Sequence, residues 1–113
     1  MSLRLRLDKP WQPLTQERVA RLPGQLGVYQ VADATGSVLY IGQAGALSPF
    51  GLRSELLREA AARGPGHQFR VEVNQQYRSR WLELLMVHQA DHGALPADNA
   101  ASPPPSLGRL SPN

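Results

Sequence analysis

Gly27-Val28-Tyr29-Gln30-Val31-Ala32 and Ser37-Val38-Leu39-Tyr40-Ile41-Gly42 are the two stretches whose reading decides the fold. Both are rich in β-branched and aromatic residues, and Asp33-Ala34-Thr35-Gly36 between them is turn chemistry, so they read as the arms of a hairpin. A turn that brings the arms into register lets the phenols of Tyr29 and Tyr40 open on one face. Tyrosine in a strand is usually an amphipathic filler, and only the pairing on facing strands raises these two above that reading.

Outward from the hairpin, residues 15–22 read as a short helix with Thr15 as N-cap, closed by Pro23-Gly24. Ser48-Pro49 is a helix start, serine capping and proline standing where its missing N–H costs nothing, and that helix runs to Arg63 before Gly64-Pro65-Gly66. Residues 68–73 alternate as a strand with Phe69, Val71 and Val73 inward. Residues 78–92 form a second long helix, stopped by Gly93. Residues 3–7, leucines alternating with Arg4 and Arg6, could add a short edge strand. The simplest architecture is α+β: a small three-stranded, mainly antiparallel sheet flanked by helices. It forms a single domain over residues 1–99, followed by a proline-rich disordered tail over 100–113.

The chain has 113 residues, enough for one hydrophobic core. There is no apolar run long enough for a membrane span and no secretory pattern at the start. The absence of cysteine removes disulfides, thiolate zinc sites and cysteine nucleophiles, and fits a cytoplasmic location. Net charge is +3, with eleven arginines against one lysine. That permits binding to a polyanion without announcing it, since the basic residues are scattered.

Two charged residues stand oddly. On a helical wheel Arg53 falls among Leu52, Leu56, Leu57 and Ala60, so it must snorkel or point its guanidinium at an anion. Glu83 has Ser79, Met86, Val87 and Ala90 stacked on it and only Arg80 as a local partner. It is either an exposed ion pair or a hard oxygen ligand facing a cleft.

Gly27-Val28-Tyr29, a ten-residue spacer and Tyr40-Ile41-Gly42 resemble the signature of the GIY-YIG endonucleases. The resemblance continues in order through Arg53, Glu83 and Asn99, covering residues 24–99. It implies a metal-dependent endonuclease that hydrolyses DNA phosphodiesters with Mg2+ or Mn2+. By that resemblance Glu83 holds the metal, Arg53 neutralises the phosphoryl oxygens, and Tyr29 orients or deprotonates water with Tyr40 assisting. Gly42 lets backbone approach substrate, and Asn99 is structural or steadies the site by hydrogen bonds. Arg58 is the alternative cation, because the loop before Arg53 is longer than in compact members. Many members carry a histidine or tyrosine four residues after the arginine, where this chain has Leu57. His67 is a possible substitute, whereas His88 and His92 suit a helix C-terminus. The alternative is a catalytically inactive module of that fold, binding nucleic acid or a protein. With no targeting motif attached, specificity would come from the domain, a homodimer or a targeting partner.

Overall fold

In the computed structural model, residues 5–101 are described. The elements run β1 (Gln12–Pro13), α1 (Gln16–Val19), β2 (Gly27–Ala32), β3 (Val38–Ala44), α2 (Gly51–Arg63), β4 (Gln68–Val73), α3 (Tyr77–His92) and α4 (Ala97–Ala100). The sheet has four strands in the order β1-β4-β2-β3, and every pairing is antiparallel. The α+β class thus stands, but the strand count of three does not. The extra strand is β1, two residues that pair with Phe69 and Gln68 of β4. Its Pro13 has no N–H to donate, which confines it to an edge. Of the strand expected over 3–7, residues 5–7 are not in the sheet, and 3–4 lie outside the described residues.

β2 is buried along its whole length because it is central and both faces of the sheet are covered. Tyr29 stands opposite Gly42 and Val31 opposite Tyr40, so these four residues share one face. Phe69 and Val71 of β4 pair with Val31 and Tyr29 and extend that face. Leu52, Leu56 and Ala60 of α2 close over it, with Val19 of α1 and Leu14. Val28 and Ile41 point the other way, into a second cluster with Leu7, Leu84 and Leu85. The alternation of β4 was read correctly at Phe69, which is fully buried, but Val73 at the strand end is exposed. Arg70 and Glu72 face neither bulk water nor a core: they lie beneath the N-terminal segment and α3.

Thr15 caps α1, its hydroxyl accepting from Arg18 N. Ser48-Pro49 does not start α2, which begins at Gly51. Gly51 has φ +55°, and a Cβ there would sit 2.3 Å from Gln25 O, while Leu52 N donates to that same carbonyl. The helix start is therefore fixed by docking on Gln25, in a conformation open to glycine. Ser48 instead donates its hydroxyl to Glu55 at 2.7 Å. Gly93 ends α3 in the left-handed conformation, as its position implied. Ala100 belongs to α4, so the tail cannot begin there, and residues 102–113 lie outside the described residues. Among the described residues no helix is long and apolar enough to cross a membrane.

Candidate functional site

The two tyrosines meet as the hairpin implied. Their ring centroids are 6.0 Å apart and tilted by 52°. Tyr29 is buried and Tyr40 half-buried at the edge of the same face. Gly42 explains the packing: a Cβ there would lie 2.3 Å from the Tyr29 ring. Its missing side chain thus makes room for the phenol, where the resemblance implied room for substrate.

Above the tyrosines sits one edge of α2. The Tyr29 hydroxyl donates to Glu59 Oε2 at 3.2 Å, and Arg63 Nε donates to Glu59 Oε1 at 2.7 Å. Arg63 Nη2 also lies 2.7 Å from Asp98 Oδ2 on α4, and its guanidinium carbon is 5.9 Å from the centre of the Tyr40 ring. The site is therefore Tyr29, Tyr40, Glu59, Arg63 and Asp98, linked in one chain of contacts. Glu59 and Arg63 were missed because the wheel places Glu55, Arg58 and Glu59 opposite the apolar stripe, where solvent is expected. The signal available was the i,i+4 order of Glu59 before Arg63, the favourable orientation of a helical ion pair.

Burial is the main cause that pushes the Tyr29 phenol well above its ordinary value, and the negative field of Glu59 adds to it. Tyr40 moves the same way, again by burial first and then by Glu59 and Glu55, with Arg63 and Arg58 opposing. A base needs the reverse shift. In this arrangement both phenols are held towards the protonated form, and Tyr29 acts as a hydrogen-bond donor.

Arg53, Arg58 and Glu83 do not join the tyrosines. Arg53 Nη1 reaches Leu22 O at 3.4 Å and the guanidinium lies 5.3 Å from the Phe50 ring centre, so it snorkels towards the end of α1. Arg58 is exposed and pairs with Glu55. Glu83 is on α3, whose core residues pack on the face of Val28 and Ile41, across the sheet from the tyrosines. There it bonds Arg80, half-exposed. Convergence of Tyr29, Tyr40, Arg53 and Glu83 thus fails, and with it the geometric basis for Glu83 as a metal ligand. The physical reason is the side of the sheet that α3 covers: Leu84 and Leu85 dock on Val28 and Ile41, and Glu83 turns outward towards Leu5 and Met86. Leu57 is partly buried against the tyrosine-side cluster. His67 Nδ1 sits 3.3 Å from Gly64 O, within its own turn.

Asn99 is buried and spans β3 from the side. Its Nδ2 donates to Ile41 O at 3.0 Å and its Oδ1 accepts from Ile41 N at 2.8 Å. Trp81 Nε1 donates to the same carbonyl at 2.8 Å. β3 is a sheet edge, and the carboxamide takes the place of a neighbouring strand's peptide, satisfying backbone groups that burial would leave unpaired. Asn99 so fixes α4, and through Asp98 the position of Arg63.

Both glutamates near the tyrosines are already engaged, and the half-exposed Asp98 pairs with Arg63 through Oδ2. Glu59 accepts from Tyr29 and Arg63, and Glu55 accepts from Ser48 and Arg58. Among the described residues no group of three or more histidine, aspartate or glutamate side chains is placed to hold a metal. No curated protein and no solved structure matches the chain. A family model described as a domain of unknown function, DUF7508, matches residues 5–91. That span is the hairpin, both long helices and the strand between them, and the chain belongs to this family.

Proposed function

We propose that this chain is a GIY-YIG-like module that binds nucleic acid along its tyrosine face without cutting it. The observation that carries the reading is the closure of the site. Both oxygens of Glu59 are bound by Tyr29 and Arg63, and Glu83 lies across the sheet. The donor set fits Mg2+ or Mn2+ poorly, because a cation at Glu59 would meet the Arg63 guanidinium already bound to the same carboxylate.

What remains suits a phosphate. Arg63 presents Nη2 to the surface, where the half-exposed Asp98 carboxylate now occupies the position of an anion. Arg58 adds an exposed cation on the same helix, and the net charge of +3 favours a polyanion. Tyr40 offers a partly exposed ring beside them, and aromatic faces of this kind stack on bases.

A second reading is metal-dependent hydrolysis of DNA, favoured by one observation: two tyrosines, an arginine and a glutamate do meet on one face. Labelled single- and double-stranded DNA, incubated with the protein in Mg2+, Mn2+ or EDTA, separates the two. Retardation that persists in EDTA, weakens with salt and leaves the DNA intact is the expected result. Metal-dependent cleavage that Glu59→Gln abolishes would replace the binding reading by the hydrolytic one.

A further inference from the structure

On the sheet face opposite the tyrosines lies a cavity of about 230 Å3, between the N-terminal segment, β2, β4 and α3. At about 30 Å3 per water it has room for roughly eight, below the ~300 Å3 at which drug-sized sites begin. Leu7, Val38, Leu84 and Val87 line it with apolar surface. Its polar lining is Gln30 and Arg70, together with the paired Arg6 and Asp91, Asp8, His88 and His92.

Gln30 is 6% exposed. Its Oε1 accepts from Arg70 Nε at 2.7 Å, which fixes the orientation of the carboxamide and leaves Nε2 as the other end. Among the described residues that NH2 group has no acceptor, an orphan donor pair in a buried position. Arg70 is similarly short of anions. Its Nη1 donates to Lys9 O at 3.1 Å and its plane lies 4.0 Å from the Trp11 ring centre. No carboxylate is within ion-pair distance of it among the described residues. Burial pushes its pKa down, offset in part by the field of Asp8. The neighbouring Arg6 is already neutralised by Asp91, which it grips with two bonds of 2.8 and 2.7 Å.

We infer that this cavity binds a small carboxylic acid with a short apolar body, its carboxylate received by the Gln30 amide and the Arg70 guanidinium. A carboxylate brings acceptors only, which is what an orphaned NH2 and an under-compensated guanidinium lack. The aliphatic lining takes the body of the molecule, and its size limits that body to a short chain or single ring. This site is independent of the nucleic-acid reading, since it uses the other face of the sheet.

The test uses the whole chain labelled with 15N, with benzoate as the probe and benzyl alcohol as its uncharged counterpart. The Gln30 side-chain NH2 resonance should shift saturably with benzoate. Benzyl alcohol should bind at least ten-fold more weakly, and Arg70→Gln should weaken benzoate by about ten-fold while the remaining amide spectrum is kept. A Gln30 amide unmoved by benzoate up to its solubility limit, or moved equally by benzyl alcohol, overturns the inference and leaves a water-filled cavity. Should Arg70→Gln fail to fold, the comparison of the two probes on the unaltered protein decides alone.

Discussion

Arg80→Met should lower stability by about 3 kcal/mol, at the lower end of what breaking a buried ion pair costs. Arg80 is 7% exposed, although it sits near the start of a helix that a wheel would leave half in water. Its Nε and Nη2 grip Glu72 of β4 at 2.9 and 3.1 Å, a bidentate pair. Nη1 donates to Leu5 O at 2.9 Å and to Glu83. One side chain thus joins α3, β4 and the N-terminal segment. Methionine keeps most of the apolar stem but leaves the Glu72 carboxylate partly buried with Asn74 as its one side-chain donor among the described residues.

The loss should depend on pH in a stated sense. Burial acts to raise the Glu72 pKa, but the bonds from Arg80 and Asn74 outweigh it and hold the group below its ordinary value near 4.5. A depressed carboxylate contributes stability that is complete above the unfolded-state pKa and lost as pH falls through the folded one. The deficit of Arg80→Met should therefore be full at neutral pH and shrink below about pH 4.5. Urea unfolding at pH 7 and pH 3 checks both parts. An equal deficit at both values would mean that packing, not the ion pair, is what Arg80 supplies.

Asn99→Leu should cost about 3 kcal/mol, for a different reason. Leucine has the same branching but is bulkier, so no cavity forms, while Ile41 N loses its acceptor in a buried setting, at roughly 1–3 kcal/mol for the orphan group alone. Ile41 O keeps the Trp81 bond and is less affected. α4 has only four residues and no side-chain cap, so it should detach with the substitution. Thermal unfolding gives the magnitude: a fall in Tm on the order of 15 °C for a domain this size. Asn99→Asp should also be harmful at neutral pH, since its carboxylate can accept from Ile41 N but repels Ile41 O. If Asn99→Leu unfolds at the temperature of the unaltered protein, the carboxamide does not anchor β3.

The hairpin was legible because β-branched and aromatic arms and an Asp-Ala-Thr-Gly turn all point one way. Asp33 Oδ1 does accept from Thr35 N and Ser37 N across that turn. The two long helices were legible from their stops, Gly64-Pro65-Gly66 after the first and Gly93 after the second. β1 and α4 were not, because two and four residues carry no periodicity and their placement depends on what they touch. The candidate site was half legible. Sequence order put Tyr29 and Tyr40 on facing strands, whereas the charged partners depended on which face of the sheet each helix covers and how it is turned there. Both are set by tertiary packing: Leu84 and Leu85 dock on the Val28 and Ile41 face and carry Glu83 away from the tyrosines, and Leu52 and Leu56 docking on the tyrosine face bring Glu59 to its rim. Arg53, an intruder on an apolar face, satisfied itself on Leu22 O and Phe50, as long cationic side chains commonly do.

Amide chemical-shift mapping in EDTA, with a short DNA oligonucleotide added to the labelled protein, tests the binding proposal most directly. The expected perturbations run along Tyr40, Ile41 and Gly42, along Glu59 to Arg63, and through Ala97 to Ala100, leaving Leu82 to Val87 on α3 unmoved. A map confined to α3, or no perturbation by DNA at low salt, would contradict a nucleic-acid surface built on the tyrosine face.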